Sequence, residues 1–191
     1  MYRRIAVLAC AIVVPMAFMA GPAWAPPHES GCFGKHIDIS GTSGNDTLTD
    51  PMGGNHSVVI DGGGGDDRIY GYGGADTLCG GAGDDYIAGD EGLGPAESAG
   101  ADQIQGGFGV DRVNGDAGPD FLLGGEDADN LRGGPGNDSL NGNGGNDNMY
   151  GEGDDDALKD DGSTKSDFGD GDGGTNTCTR SIETRQSCPL A

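Results

Sequence analysis

Aromatic and aliphatic side chains are scarce in this sequence. Only 6% of its 191 residues are Phe, Tyr or Trp, and only 34% are hydrophobic, so a conventional core of two packed layers is hard to build from it. Glycine occupies 41 positions, about three times its usual share, but it lacks the three-residue period of collagen. The composition therefore argues against both an ordinary globular domain and a collagen triple helix.

Basic residues are also few. The 10 Lys and Arg are outnumbered by 32 Asp and Glu, which gives a formal net charge of −22. That charge would repel a phosphate backbone and argues against nucleic acid as a partner. An acidic, glycine-rich chain is typical of disorder, yet these acidic residues recur at regular positions rather than in one tail. Their regularity indicates cations bound at regular positions.

Long apolar segments are absent except at the N-terminus. Arg3 and Arg4 precede an apolar run over 5–20, and Ala23-Trp24-Ala25 follows it as a cleavage pattern of small residues. This order is typical of a secretory signal peptide, and the run is too short for a transmembrane helix. We therefore predict a signal peptide over 1–25, cleaved after Ala23 or Ala25, a secreted, extracellular protein and no transmembrane segment.

Cysteine is rare, but its number is even once the signal peptide is removed. Loss of Cys10 leaves Cys32, Cys79, Cys178 and Cys188, and an even count in an exported chain favours two disulfides. Three connectivities are possible. Proximity in the sequence favours Cys178–Cys188, which leaves Cys32–Cys79 as the second bond.

A tandem nonapeptide takes the place of the missing features. Ten units cover 62–159, and an insertion over 94–101 interrupts the fourth unit. The sixth position is aspartate in every unit: Asp67, Asp76, Asp85, Asp102, Asp111, Asp120, Asp129, Asp138, Asp147 and Asp156. The eighth position is apolar in every unit: Ile69, Leu78, Ile87, Ile104, Val113, Leu122, Leu131, Leu140, Met149 and Leu158.

Less regular units flank this array. The segment 41–49 fits the frame with Asp46 and Leu48, whereas 50–61 is interpreted as a degenerate turn. At the other end, 171–179 keeps the glycines but has Asn176 at the aspartate position and Cys178 at the apolar one. We predict that this last unit is a disulfide-closed cap and not a calcium turn, since a terminal repeat must cover an exposed strand edge.

The pattern G-G-x-G-x-D-x-U-x, repeated in tandem, resembles the repeats-in-toxin (RTX, hemolysin-type) nonapeptide. The stretch Cys32-Phe33-Gly34-Lys35 and the segment 178–188 are similar to the ends of short secreted bacterial calcium-binding proteins of this type. The resemblance implies an all-β fold, a right-handed parallel β-roll over 41–179. An N-terminal cap over 26–40 and a C-terminal cap over 180–191 would close it.

The resemblance also implies calcium as the cofactor, with about eight ions lying between stacked turns. Asp46 and the ten sixth-position aspartates would supply carboxylates, and turn glycines would supply backbone carbonyls. The glycines assigned to this role are Gly62, Gly65, Gly71, Gly80, Gly83, Gly106, Gly109, Gly115, Gly118, Gly124, Gly133, Gly136, Gly142, Gly145 and Gly151. Magnesium is disfavoured because it demands a tighter octahedron and retains its waters.

The spacing predicts how the coil is built. In each unit, six residues form a turn and three form a strand whose central apolar side chain points inward. Successive units lie in opposite sheets, so each turn stacks on the turn two units away. One aliphatic side chain per nine ordered residues is too little for a stable fold without cations, so the free energy of calcium binding should become folding free energy.

Calcium ion binding is therefore the predicted function, and an enzyme is not predicted. The segments outside the roll are too short for a catalytic domain, and no catalytic motif occurs in the chain. The alternatives are an adhesion or glycan-binding module and, less favoured, an accessory fragment of an RTX enzyme. One predicted face carries three Arg beside three Tyr (Arg68, Arg112, Arg132, Tyr70, Tyr86 and Tyr150). It is interpreted either as a glycan or acidic-polymer surface or as ordinary cross-strand stacking; self-association is a further possible use of the surface.

Overall fold

A computed structural model describes residues 32–52, 55–90, 99–160, 167–179, 182 and 184–186. The predicted signal peptide, residues 26–31 of the N-terminal cap, and Cys188 lie outside these residues. Among the described residues the chain forms sixteen strands and one 3-10 turn at Cys32–Gly34. No helix in this part of the chain has the length and apolar character needed to cross a bilayer.

Strands alternate between two sheets, as the spacing predicts. The odd sheet contains β1 Ile39–Ser40, β3 Val59–Gly64, β5 Thr77–Ala82, β7 Gln103–Phe108, β9 Phe121–Glu126, β11 Ser139–Asn143, β13 Ala157–Lys159 and β15 Thr177–Cys178. The even sheet contains β2 Thr47–Thr49, β4 Arg68–Tyr70, β6 Tyr86–Ala88, β8 Arg112–Asn114, β10 Asn130–Pro135, β12 Asn148–Gly153, β14 Phe168–Asp170 and β16 Thr184–Gln186. Neighbours within each sheet are parallel and follow this order. The predicted all-β parallel β-roll is confirmed.

Two files of apolar side chains, one from each sheet, form the core between the sheets. All ten eighth-position residues are at most 1% exposed. Register keeps them aligned, because Ile69 pairs with Ile87 and Ile87 with Val113 along the even sheet. Each coil therefore contributes one inward side chain per sheet, and the apolar core is only one side chain wide in each layer.

Several strands are longer than the three residues predicted. Strands β3, β5, β7, β9, β10 and β12 each span six residues, because parallel pairing continues through the first glycines of the following unit. Gly81, for example, pairs with both Gly63 and Gly107. The turns are correspondingly tight, and the close stacking of glycine backbones explains why larger side chains are missing there.

The segment 50–61 is not merely a degenerate turn, so that interpretation was wrong. Ile60 in β3 is fully buried and pairs with Leu78, as an eighth-position residue should. Val58 occupies the aspartate position, and its N–H donates to Oδ1 of Asp76 at 2.8 Å. The unit escaped the sequence frame because the residue that marks the frame is replaced by valine.

The N-terminal segment is pinned to the outer face of the odd sheet. Cys32 and Cys79 form a disulfide with 5.7 Å between their Cα atoms, as predicted. Phe33 packs edge-on against Phe121 with 6.3 Å between ring centroids, and Lys35 Nζ donates to Oγ1 of Thr77 at 2.6 Å. Cys178 is also disulfide-bonded; its predicted partner, Cys188, lies outside the described residues, so that pairing stays a prediction.

Candidate metal centre

The turns that connect the sheets form two stacks along the roll. The first turn stack leads from odd to even strands and contains 62–67, 80–85, 106–111, 124–129 and 142–147. The second turn stack leads back and contains 71–76, 89–90 with 99–102, 115–120, 133–138 and 151–156. Each turn ends at its sixth-position aspartate, so each stack aligns a column of carboxylates.

One oxygen of each of these aspartates links successive coils. The N–H of Asp111 donates to Oδ1 of Asp129 at 2.9 Å, and the N–H of Asp129 donates to Oδ1 of Asp147 at 2.9 Å. The same bond repeats from Asp46 to Asp167 in the first stack and from Val58 to Asn176 in the second. These bonds form two aspartate ladders that hold the turns in register.

The other carboxylate oxygen is buried without a hydrogen bond. Among the described residues, Oδ2 is buried and lacks a hydrogen-bond partner in nine ladder aspartates: Asp67, Asp76, Asp85, Asp102, Asp111, Asp120, Asp129, Asp138 and Asp156. An orphaned buried acceptor is costly, and it is more costly when ionised. Repeating it at nine positions indicates that a positively charged group belongs beside it.

The surroundings of Oδ2 offer further oxygens rather than donors. A Cβ added at Gly124 would overlap Oδ2 of Asp129 and lie 2.7 Å from the carbonyl oxygen of Gly142 in the next coil. The first-position glycine thus leaves open the space between a carboxylate and a backbone carbonyl. Both groups only accept hydrogen bonds, and their combination fits a hard cation such as calcium.

The glycines predicted to line the turns fall into two groups. Gly62, Gly71, Gly80, Gly106, Gly115, Gly124, Gly133, Gly142 and Gly151 hold the first position, where an added Cβ would collide with the unit's own aspartate. Gly65, Gly83, Gly109, Gly118, Gly136 and Gly145 hold the fourth position, where φ lies between +98° and +158°. Whether their carbonyls bind calcium stays a prediction.

Burial and stacking raise the pKa of the nine ladder carboxyl groups whose Oδ2 lacks a partner. Desolvation is the largest cause, and repulsion from neighbouring carboxylates adds to it, while the backbone hydrogen bond opposes both. The pKa rises to about 6 for Asp85 and Asp156, about 7 for Asp76, Asp111, Asp120 and Asp138, and about 8 for Asp102 and Asp129. Without cations, therefore, the folded state favours protonated carboxyl groups.

This shift predicts how the calcium-free chain responds to pH. In the unfolded chain these groups lose their protons near 3.8, whereas the folded ladders retain them until pH 6 to 8. The unfolded state therefore binds fewer protons between these limits, and raising the pH favours unfolding. We expect calcium-free protein to show most β structure below about pH 4 and to lose it progressively as the pH rises to about 8. Far-UV circular dichroism after exhaustive dialysis tests this; β structure that grows with pH would contradict it.

The ends of the ladders differ from their interiors. Oδ2 of Asp46 accepts hydrogen bonds from the N–H and the hydroxyl of Thr42, at 2.6 and 2.8 Å. Val58 carries no carboxylate at all. Asp46, predicted as a calcium ligand, therefore has an oxygen already satisfied by protein donors, and no orphaned oxygen marks a cation site there.

Asn176 closes the second ladder with its own amide. Its Oδ1 accepts the N–H of Asp156 at 2.8 Å, as an aspartate would. Its Nδ2 donates to the carbonyl oxygens of Gly171 and Gly173, at 2.7 and 2.6 Å. The amide thus supplies positive hydrogens to the carbonyls of a turn that lacks a carboxylate; that this unit does not bind calcium stays a prediction.

This contact predicts a gain of calcium binding on a single substitution. Asn176→Asp would replace the donating amide by an acceptor facing two carbonyl oxygens, the arrangement that the interior turns share. We expect the bound calcium to increase by about one ion per chain, and the C-terminal end to lose order when calcium is removed. Equilibrium dialysis against the unchanged protein measures the first effect; an unchanged stoichiometry would contradict it.

Four buried aspartates near the turns escaped the sequence analysis. Asp50, Asp90 and Asp160 lie at the three places where extra residues interrupt the frame, and each is at most 8% exposed. Asp167 is the sixth-position residue of a unit whose eighth position is Gly169, with Ile182 packed against that glycine. Carboxylate oxygens of Asp147, Asp160 and Asp167 lie within 4.8 Å of one another.

Comparison with known families identifies the repeat. The family model of the RTX calcium-binding nonapeptide repeat matches residues 53–92, 98–122 and 123–158, which is more than half of the chain. The match begins at the first position of the unit that contains Val58. The aspartate frame alone did not identify that unit. The searches of curated proteins and of solved structures returned no match.

Proposed function

The chain belongs to the family of RTX calcium-binding nonapeptide repeat proteins, and we propose that it is an exported protein whose folding is coupled to extracellular calcium. The observation that carries the proposal is the row of buried Oδ2 atoms that lack hydrogen-bond partners. Calcium between successive turns would satisfy these atoms and cancel the repulsion between stacked carboxylates. The free energy of binding would then appear as folding free energy.

The ions would lie along both turn stacks, about eight in all. Sixth-position carboxylates would contribute Oδ2, and carbonyl oxygens of turn glycines would complete the coordination that calcium prefers. The second stack ends at Val58 and Asn176, neither of which carries a carboxylate. We propose no catalytic role, because the ladder carboxylates face backbone oxygens of the next coil rather than a nucleophile or a base.

Export from the cell would support the coupling of folding to calcium. The signal-peptide pattern over 1–25 would carry the chain out of the cell, where calcium is abundant, and the Cys32–Cys79 disulfide is of the kind that persists in an oxidising compartment. A chain that stays unfolded until it meets calcium would avoid exposing partly built sheet edges during export.

Equilibrium dialysis tests the proposed function directly. The mature chain at neutral pH should bind about eight calcium ions, and an excess of magnesium should displace few of them because magnesium retains its waters. Binding of only one or two ions, or equal binding of the two metals, would contradict the ladder assignment.

A further inference from the structure

We propose that Asp90 is an additional calcium ligand outside the nonapeptide pattern, a role that rests on the proposed calcium binding and extends it. Asp90 follows the first-position Gly89 in the second turn stack, at the second position of its unit, where the pattern G-G-x-G-x-D-x-U-x has glycine. The turn formed by 89–90 and 99–102 is called the Asp90 turn below. An added carboxylate would make this turn bind calcium more tightly than a turn that follows the pattern.

Asp90 is buried, and one of its carboxylate oxygens has no hydrogen bond. The residue is 8% exposed, its Oδ2 accepts the N–H of Gly100 at 3.2 Å, and its Oδ1 is buried without a partner. The bond from Gly100 joins the two described parts of the Asp90 turn and holds the carboxylate between them. The Asp90 turn therefore contains two unsatisfied acceptors, Oδ1 of Asp90 and Oδ2 of Asp102.

The carboxylate of Asp90 lies close to ladder aspartates of three successive coils. Burial raises the pKa of these three residues, Asp76, Asp102 and Asp120, and in each of them the charge of Asp90 raises the pKa further. The space beside Gly89 is open, because a Cβ added there would overlap Oδ2 of Asp102. Acceptor oxygens thus converge on the Asp90 turn, and such a set of oxygens fits a hard cation.

No basic side chain among the described residues pairs with Asp90. Burial raises its pKa to about 6, and the charge of Asp116 in the next coil raises it further. Asp50, buried at another interruption of the frame, is different, because Nε2 of His56 lies 3.2 Å from its Oδ2. The inserted sequence 91–98 contains two glutamates and no Lys, Arg or His. A bound cation is therefore the expected counter-charge for Asp90.

Carboxylates at the same position of other second-stack turns are more exposed. The side chain of Glu152 is 44% exposed and its Oε1 lies 3.5 Å from Nη1 of Arg132, and Asp172 is exposed. Both residues have positive φ, +75° and +50°, whereas Asp90 is not among the residues with positive φ. The interruption of the frame thus accompanies a change of backbone conformation and the burial of this carboxylate.

The number of carboxylates predicts which turns bind cations more tightly. Calcium affinity increases with the charge and the rigidity of the ligand set. The Asp90 turn offers the carboxylates of Asp90 and Asp102, whereas the regular turn 133–138 offers only that of Asp138. A trivalent ion of similar size, such as europium, should favour the additional carboxylate more strongly than calcium does, because Coulomb attraction grows with charge.

Europium luminescence tests the assignment, because the ion replaces calcium and its lifetimes in water and heavy water report how many waters it retains. Europium is titrated into the folded, calcium-saturated chain. Asp90→Asn removes the charge but keeps an acceptor for the N–H of Gly100. We expect one europium ion to bind at least about tenfold more weakly and to gain about one water.

Two further variants complete the test. Asp90→Gly restores the repeat pattern and should have the same effect as Asp90→Asn. Glu152→Gln makes the matched charge change at the same turn position on the surface, and it should alter europium affinity by less than about twofold.

Calcium stoichiometry and circular dichroism of the unchanged chain separate this role from the proposed function. A chain that binds no calcium would contradict both. A chain that binds calcium, but whose europium affinity and hydration are unchanged by Asp90→Asn, would overturn only the role of Asp90. An equal loss in Glu152→Gln would overturn it as well. So would a loss confined to Asp90→Gly, since the hydrogen bond from Gly100 rather than the charge would then be what matters.

Discussion

Removal of calcium at neutral pH is expected to unfold most of the roll. Each coil buries only two inward side chains, so packing alone offsets little of the chain entropy lost on folding. Eight interior ladder carboxyl groups, whose pKa values lie between about 6 and 8, would then be partly ionised and would repel one another from coil to coil. Calcium bound between the turns is expected to replace this repulsion by attraction.

Far-UV circular dichroism and small-angle scattering measure the effect. With chelator the chain should show a coil spectrum and an expanded radius, and with calcium a β spectrum and a compact one. Excess sodium chloride is the necessary control, because screening alone weakens repulsion between exposed charges. Salt should not replace calcium, since screening leaves the buried Oδ2 atoms without partners.

Two results would contradict this account. A β spectrum that persists in chelator, with bound calcium shown to be absent, would mean that the core suffices for folding. Recovery of the fold in sodium chloride alone would mean that calcium acts only through general screening. Either result would leave the sheet topology unchanged but remove the role assigned to the ladders.

Much of the architecture could be predicted because each repeat specifies both its own turn and strand and the pairing of that strand with the strand two units away. When each glycine turn is followed by a short strand with one inward residue, successive strands must lie in opposite sheets. The burial of Ile69, Leu122 and Met149 therefore follows from their position in the frame. The Cys32–Cys79 bond followed from elimination once Cys178 was assigned to Cys188.

The departures arose where the frame loses the residues that mark it. The unit with Val58 lacks its aspartate, and the unit with Asp167 lacks its aliphatic residue because Ile182 fills the space above Gly169. Asp50, Asp90 and Asp160 stand at insertions, where no period exists to place them. Asn176 accepts a hydrogen bond through Oδ1 and donates through Nδ2. This double role depends on how successive coils pack, which the spacing of residues in the sequence does not reveal.

Substitution of an interior aspartate is expected to cost far more than substitution of a terminal one. Asp129 is 1% exposed, and its Oδ1 accepts the N–H of Asp111 while its Oδ2 has no partner among the described residues. Asp129→Ala would orphan that buried N–H and remove a carboxylate from the first turn stack. We expect the free energy of unfolding in calcium to fall by about 2–4 kcal/mol.

Asp46→Ala is the matched comparison at the end of the same ladder. Asp46 is only partly buried, and Thr42 already donates to its Oδ2, so its removal should change the free energy of unfolding by less than about 1 kcal/mol. It should also leave the number of bound calcium ions unchanged, whereas Asp129→Ala should lower that number by one or two, because its carboxylate lies between stacked turns on both sides. Urea titration in calcium and equilibrium dialysis give the two quantities.

Asp129→Asn then separates the hydrogen bond from the charge. The asparagine amide can accept the N–H of Asp111 and donate to turn carbonyls, as Asn176 does at the C-terminal end. This variant should therefore lose calcium as Asp129→Ala does, yet it should retain more of its stability in calcium and unfold less readily in chelator. Equal stability of the Ala and Asn variants would show that the ladder hydrogen bond contributes little. Equal effects at Asp129 and Asp46 would contradict an ordered column of cation sites. In such a column, loss of a carboxylate with neighbours on both sides should reduce stability and calcium binding more than loss of one at the end.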